Sequence, residues 1–158
     1  MKRFLFVLLL MFAIGMGMLT GCSSNGGTSE ELSAAEVGER IQQTVSLQNM
    51  KQGDLTKLQK LYQIEADKVE DFILYTASSN VKADELAVIK VKDASDTEHV
   101  IEKIQQRIEA QTIKLKDYRP EEYFLIEKHV LKTSGPFILF AVSKDVDQIE
   151  SVFDEVMK

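Results

Sequence analysis

The stretch His129-Val130-Leu131-Lys132-Thr133-Ser134-Gly135-Pro136-Phe137-Ile138-Leu139-Phe140-Ala141-Val142 decides the fold. Residues 129–133 and 137–142 are β-prone runs that flank Ser134-Gly135-Pro136, a hairpin connection in which Gly135 permits positive φ and Pro136 opens the second strand. The run from Phe137 to Val142 is apolar without alternation, which predicts a central strand covered on both faces.

Upstream, Phe72-Ile73-Leu74-Tyr75 and Leu86-Ala87-Val88-Ile89-Lys90-Val91 form a second pair of β-prone runs, parted by the polar region around Ser78-Ser79-Asn80 and expected to lie side by side antiparallel. Between the two pairs, Ser95 and Glu98 make a capping-box pattern. Ile101, Ile104, Ile108 and Leu115 then recur on one face of a helix of about twenty residues, with Glu102, Lys103, Gln106 and Glu109 on a solvated face. Val146, Ile149, Val152, Phe153 and Val156 predict a terminal amphipathic helix from near Asp145. Toward the start, Ser33 and Glu36 make a first capping box, and Ala34, Val37, Ile41 and Val45 predict a helix over residues 33–50. Gly53-Asp54 breaks it, and Leu55, Leu58, Leu61 and Tyr62 mark a second, short helix. The expected class is α+β: an antiparallel sheet of about four strands in ββαββα order, helices mainly on one face, preceded by two helices.

Before residue 33 the chain changes character. Lys2 and Arg3 precede an apolar run from Phe4 that closes on Leu19-Thr20-Gly21-Cys22. A charged start, an apolar segment and small residues ahead of a cysteine are what a lipoprotein signal peptidase requires. Leu19, Thr20 and Gly21 serve as its recognition residues, and the Cys22 thiol is the nucleophile that accepts a diacylglyceryl group. Residues 4–18 fall short of the about 20 apolar residues that cross a bilayer core, and Gly15 and Gly17 weaken a helix there, so a cleavable signal is expected in place of a membrane span. The predicted plan is a signal peptide over 1–21, a lipidated cysteine and glycine-bearing linker over 22–32, and one α+β domain over 33–158. The expected location is the extracytoplasmic face of the cell membrane, held by a palmitate-bearing anchor.

The chain carries 19 basic and 25 acidic residues, and the signal removes Lys2 and Arg3 but no acid. That balance argues against nucleic acid, and against the domain lying on an anionic membrane surface. Cys22 is the only cysteine, so stability rests on packing without a disulfide. His99 and His129 lack a second ligand at metal-like spacing, and neither a metal nor another cofactor is expected.

Leu61-Tyr62-Gln63-Ile64, residues 71–75, Asp84-Glu85-Leu86-Ala87-Val88-Ile89-Lys90-Val91, Tyr118-Arg119-Pro120-Glu121-Glu122 and Gly135 before an apolar strand together resemble the bacterial lipoprotein family of domain of unknown function 4358. The resemblance spans roughly residues 55–157 as a whole-domain pattern, with the Tyr-x-Pro-Glu-Glu segment as its most recognisable local mark. That family has no assigned activity. The resemblance therefore implies a secreted, membrane-tethered domain and carries over no catalytic residues.

Tyr118, Arg119, Glu121 and Glu122 are the candidate ligand or recognition segment. Pro120 suits the first position of a helix, which puts both acids at its positive end. Adjacent helical residues point about 100° apart, so the two cannot face one reacting atom together. The favoured reading is structural, with the Tyr118 ring under the sheet and both acids facing solvent. His129 reads as a structural histidine before it reads as a general base. No serine lies in a hydrolase motif. Asp93, Asp96 and Glu98 lack the spacing of a calcium loop and are explained by capping. Two functions remain: a non-enzymatic domain binding an envelope protein or small ligand, and an envelope hydrolase using Glu121 or Glu122 as acid/base. The first needs only a tether, a spacer and a domain, all visible in the sequence. A cleft of convergent polar groups separates the two.

Overall fold

Ser33 caps the first helix of the computed structural model, which describes residues 32–158. Its amide donates to Glu36 Oε2 at 2.8 Å while the Glu36 amide donates to Ser33 Oγ at 3.1 Å, closing the predicted reciprocal box. This helix, α1 (Ala34–Thr44), stops well before residue 50, because Met50 is drawn into an edge strand, β1 (Met50–Gln52), paired with residues 75–77. Asp54 then caps α2 (Leu55–Tyr62), its Oδ1 accepting the Lys57 amide at 2.8 Å.

The remaining elements are β2 (Val69–Ala77), β3 (Glu85–Val91), α3 (Thr97–Leu115), α4 (Pro120–Glu127), β4 (Val130–Ser134), β5 (Phe137–Val142) and α5 (Val146–Val156). Among the described residues, five strands form one antiparallel sheet in the order β1-β2-β3-β5-β4. β2 and β3 pair as expected, with Phe72 opposite Ile89 and Tyr75 opposite Leu86. β4 and β5 form the predicted hairpin: Ser134 lies opposite Phe137, and Gly135 turns the chain at φ 55°. The class is α+β. The strand beyond the expected four is β1, a three-residue edge with no alternation for a pattern to detect.

The expectation of helices mainly on one face is corrected. Every residue of β3 and β5 is buried, and alternate side chains leave the sheet on opposite sides, so both sides need a cover. Ala87, Ile89, Ile138 and Phe140 pack beneath α2, α3 and α4 with Leu58, Tyr62, Ile104 and Ile126. Leu86, Val88, Phe137 and Leu139 pack beneath α1 and α5 with Val37, Ile41, Ile149 and Phe153. Each Val, Leu, Ile or Phe among them contributes about 1.5–3 kcal/mol of burial. Gly38 lets α1 settle onto β2, since a Cβ there would stand 2.8 Å from Ile73 Cδ1.

The second predicted capping box does not form. A single 3₁₀ turn (Ala94–Asp96) precedes α3, and Asp93 Oδ1 caps that turn by accepting the Ser95 amide at 2.9 Å. Leu32, expected in the linker, packs against the α1/α5 core. The signal segment, Leu19, Thr20, Gly21, Cys22 and the rest of the linker lie outside the described residues. Among the described residues no helix is long and apolar enough to cross a membrane.

Candidate functional site

Strand parity carries polar residues to one end of an otherwise apolar face. Leu74 of β2 and Ala87 and Ile89 of β3 lie in the core beneath α2 and α3, so Thr76 and Glu85, each two residues from one of them, share that side of the sheet. They are directly opposite in register and both buried. Tyr62, at the end of α2, donates its hydroxyl to Glu85 Oε1. Arg107, from α3, donates Nε to Oε1 at 3.2 Å and Nη2 to Oε2 at 2.8 Å. Burial, with the Glu85 charge and hydrogen bond, pushes the Tyr62 phenol well above its usual range. Burial alone would lower Arg107, but the hydrogen bond to Glu85 and its charge outweigh that and hold the guanidinium above its ordinary value. Glu85 is thus a satisfied buried anion. Removing Arg107 would strand it at a cost of about 3–5 kcal/mol, so the trio acts as a rigid floor.

Over this floor opens a cleft of about 490 Å³. Lys51 lines it from β1, Lys57 from α2, Lys82 from the β2–β3 connection, and Arg107, Gln111 and Lys114 from α3. Ser78, Ser79 and Asn80 form the rim. Two of the five cations are matched by carboxylates: Arg107 by Glu85, and Lys82 by Glu122 at 2.5 Å. Lys57 Nζ instead donates to Thr76 Oγ1 at 2.6 Å, and Lys114 Nζ to the Asn80 carbonyl at 2.6 Å, both uncharged acceptors. Asp84 is the remaining lining carboxylate, and its pKa is raised, first by burial and then by the charge of Glu122. The result is a local positive excess in a chain of net charge −6. A second hollow, about 530 Å³, lies along residues 42–48 beside Tyr75 and is lined by no charged side chain, so it offers less to hold a ligand.

The candidate segment Tyr118 to Glu122 is divided by the structure. Pro120 begins α4, as expected. Tyr118 does not pack under the sheet: it is 70% exposed, with the Arg119 guanidinium 5.7 Å from its ring centre. Glu121 is exposed, 3.5 Å from Arg119. Glu122, expected at the surface, is 2% exposed; its Oε2 accepts the Ala83 amide at 2.8 Å and its Oε1 accepts Lys82 Nζ. Ile126, four residues on, is an α4 core anchor, and residues four apart share a helix face, so Glu122 is carried inward with it. There it pins the β2–β3 connection, which is one wall of the cleft. The two acids diverge, and a joint acid/base role has no geometric basis.

His129 is structural: Nδ1 donates to the Ile126 carbonyl at 2.7 Å, and the ring meets Phe140 edge-on. His99 Nε2 stands 3.2 Å from Glu65. Asp96 pairs with Lys68 at 2.6 Å. Lys51, Lys57, Arg107, Gln111 and Lys114 carry no expected role in the sequence. One signal was present. Arg107 and Gln111 follow Ile104 at helical spacing and lead to Leu115, so they occupy the apolar stripe of α3, where a polar side chain needs a buried partner or a cleft.

No curated protein and no solved structure matches the chain. A family model described as a domain of unknown function (DUF4358) matches residues 43–143. That span holds the whole sheet, α2, α3, α4 and every residue of the cleft, while α5 and most of α1 fall outside it. The cleft therefore lies within the matched span, and the chain belongs to the DUF4358 family.

Proposed function

We propose that this chain is a membrane-anchored extracytoplasmic lipoprotein whose domain acts by binding, without catalysis, a ligand at the cell envelope. The binding site is the cleft between α2, α3 and the β2–β3 connection. The observation that carries this reading is the charge mismatch. Lys57 and Lys114 are spent on uncharged oxygens inside a concave site whose floor is already internally neutralised. Leu19-Thr20-Gly21-Cys22 supports the anchor, and the linker supports a domain that stands off the membrane. The hydrolase reading is weaker, because Glu122 is committed to the Ala83 amide and Lys82, which leaves Glu121 beside Arg119 at the surface.

Two arms test the proposal. Cells fed labelled palmitate should yield a labelled chain in the membrane fraction, and Cys22→Ala should abolish the label and either release the protein or leave an unprocessed precursor. A processed, unlabelled Cys22→Ala chain that stays with the membrane would contradict the anchor. In a deletion strain, Gln111→Trp, which fills the cleft, should fail to restore the wild-type phenotype. Glu109→Trp, on the solvated face of α3, should restore it. Equal rescue by both would contradict the cleft.

A further inference from the structure

We propose that the cleft takes the phosphate group of a small organic phosphate ester, an inference that rests on the cleft being the binding site. Lys51, Lys57 and Lys114 reach it from β1, α2 and α3, so positive charge approaches from three elements. Ammonium groups are compact point charges that suit a tetrahedral, multiply charged oxyanion. An arginine fork meets carboxylate or phosphate bidentately, but the fork of the lining arginine, Arg107, is occupied by Glu85, so the charge of a ligand here falls to the lysine ammonium groups. The bonds from Lys57 to Thr76 and from Lys114 to Asn80 hold these ammonium groups in place, and a charged acceptor is a stronger partner than either neutral oxygen. Ser78 and Ser79 add hydroxyl donors at the rim. The volume, about 490 Å³, exceeds what a bare phosphate needs and falls in the range of about 300–1,000 Å³ common for small organic ligands. Leu61 and Ala110 give part of the wall an apolar surface for the organic body.

The test uses the full lipidated chain in non-ionic detergent, titrated calorimetrically at low salt with glycerol 3-phosphate, inorganic phosphate and glycerol. Glycerol 3-phosphate should saturate one site, inorganic phosphate should compete for it, and glycerol should give no signal. Added salt should weaken the binding. Lys57→Gln with Lys114→Gln should lower affinity by about tenfold or more, while Lys60→Gln, exposed on α2 outside the cleft, should leave it unchanged. If the double variant melts early, Lys51→Gln, exposed on β1, must lower the affinity by itself. A lipid source is separated from a soluble one by placing the chain in phosphatidylcholine vesicles with and without phosphatidic acid. Displacement of glycerol 3-phosphate by phosphatidic acid assigns the site to a lipid headgroup, and no displacement assigns it to a soluble ester. Absence of saturable phosphate binding, or binding untouched by the lysine changes, overturns the proposal. If Gln111→Trp then still fails to rescue the deletion strain, the phosphate class falls and the binding reading stands. If Gln111→Trp rescues fully, both fall.

Discussion

Two carboxylates beside the β2–β3 connection sit in opposite conditions. Glu122 is buried and fully engaged by the Ala83 amide and Lys82, whereas Asp84 is half-buried and feels the Glu122 charge. Glu122→Gln should therefore destabilise the fold by about 1.5–3 kcal/mol in urea melts, the scale of a hydrogen bond to a charged group. Glu121→Gln, at the surface, should stay within about 0.5 kcal/mol. Asp84→Asn should act the other way. A carboxyl whose folded pKa is raised makes the folded state bind more protons than the unfolded one, so its charged form opposes folding above that pKa. The substitution should stabilise at neutral pH by less than about 1 kcal/mol, given solvent screening of a half-exposed group. Melts from pH 7 downward should show the gain shrinking as the wild-type carboxyl protonates and gone below about pH 4, the ordinary aspartate range. A gain that persists in acid would mean that packing, not charge, causes it. At this scale the sequence was only partly legible. Glu122 was identifiable as a helix-start acid, but its inward direction depends on which face of α4 meets the sheet, which no local pattern encodes.

Elements were legible where their signals are local. Ser33 with Glu36 and Gly135 in the hairpin act within a few residues, and the stripe of Ile104 and Leu115 repeats within one helix. Asp71 acts at long range. Its Oδ2 accepts the Ala34 amide at 2.8 Å, closing the positive end of α1 from across 37 positions, while its Oδ1 accepts the Phe72 amide beside an irregularity in β2. Removing this carboxylate leaves the α1 terminus to the Ser33 box alone. Asp71→Ala should cost about 1–2 kcal/mol, read as a lower urea midpoint with an unchanged slope, and Asp71→Asn should recover part of that. No loss in Asp71→Ala would show that Ser33 suffices. β1 escaped for the complementary reason: Met50-Lys51-Gln52 is a strand because β2 offers an edge to pair with, not because of its own composition.

At the scale of the whole molecule, the unbroken apolar run in β5 announced a strand with two covered faces, and the helices divide between them accordingly. Leu139→Asp, fully buried beneath α1 and α5, should lose several kcal/mol against Glu109→Ala on the solvated face of α3 (about 0.5 or less); equal urea midpoints would contradict the two-sided burial. The cleft was not legible, because its lysines come from elements far apart in sequence and meet only when the sheet brings α2, α3 and the β2–β3 connection to one end. The most direct test of its role is an amide chemical-shift map of the full chain, titrated with the low-mass fraction of an envelope extract from its own cells. A ligand held in the cleft should concentrate the shifts at Lys57, residues 76–82 and residues 107–114. Shifts confined to α1 and α5, or none in the cleft, would contradict that role.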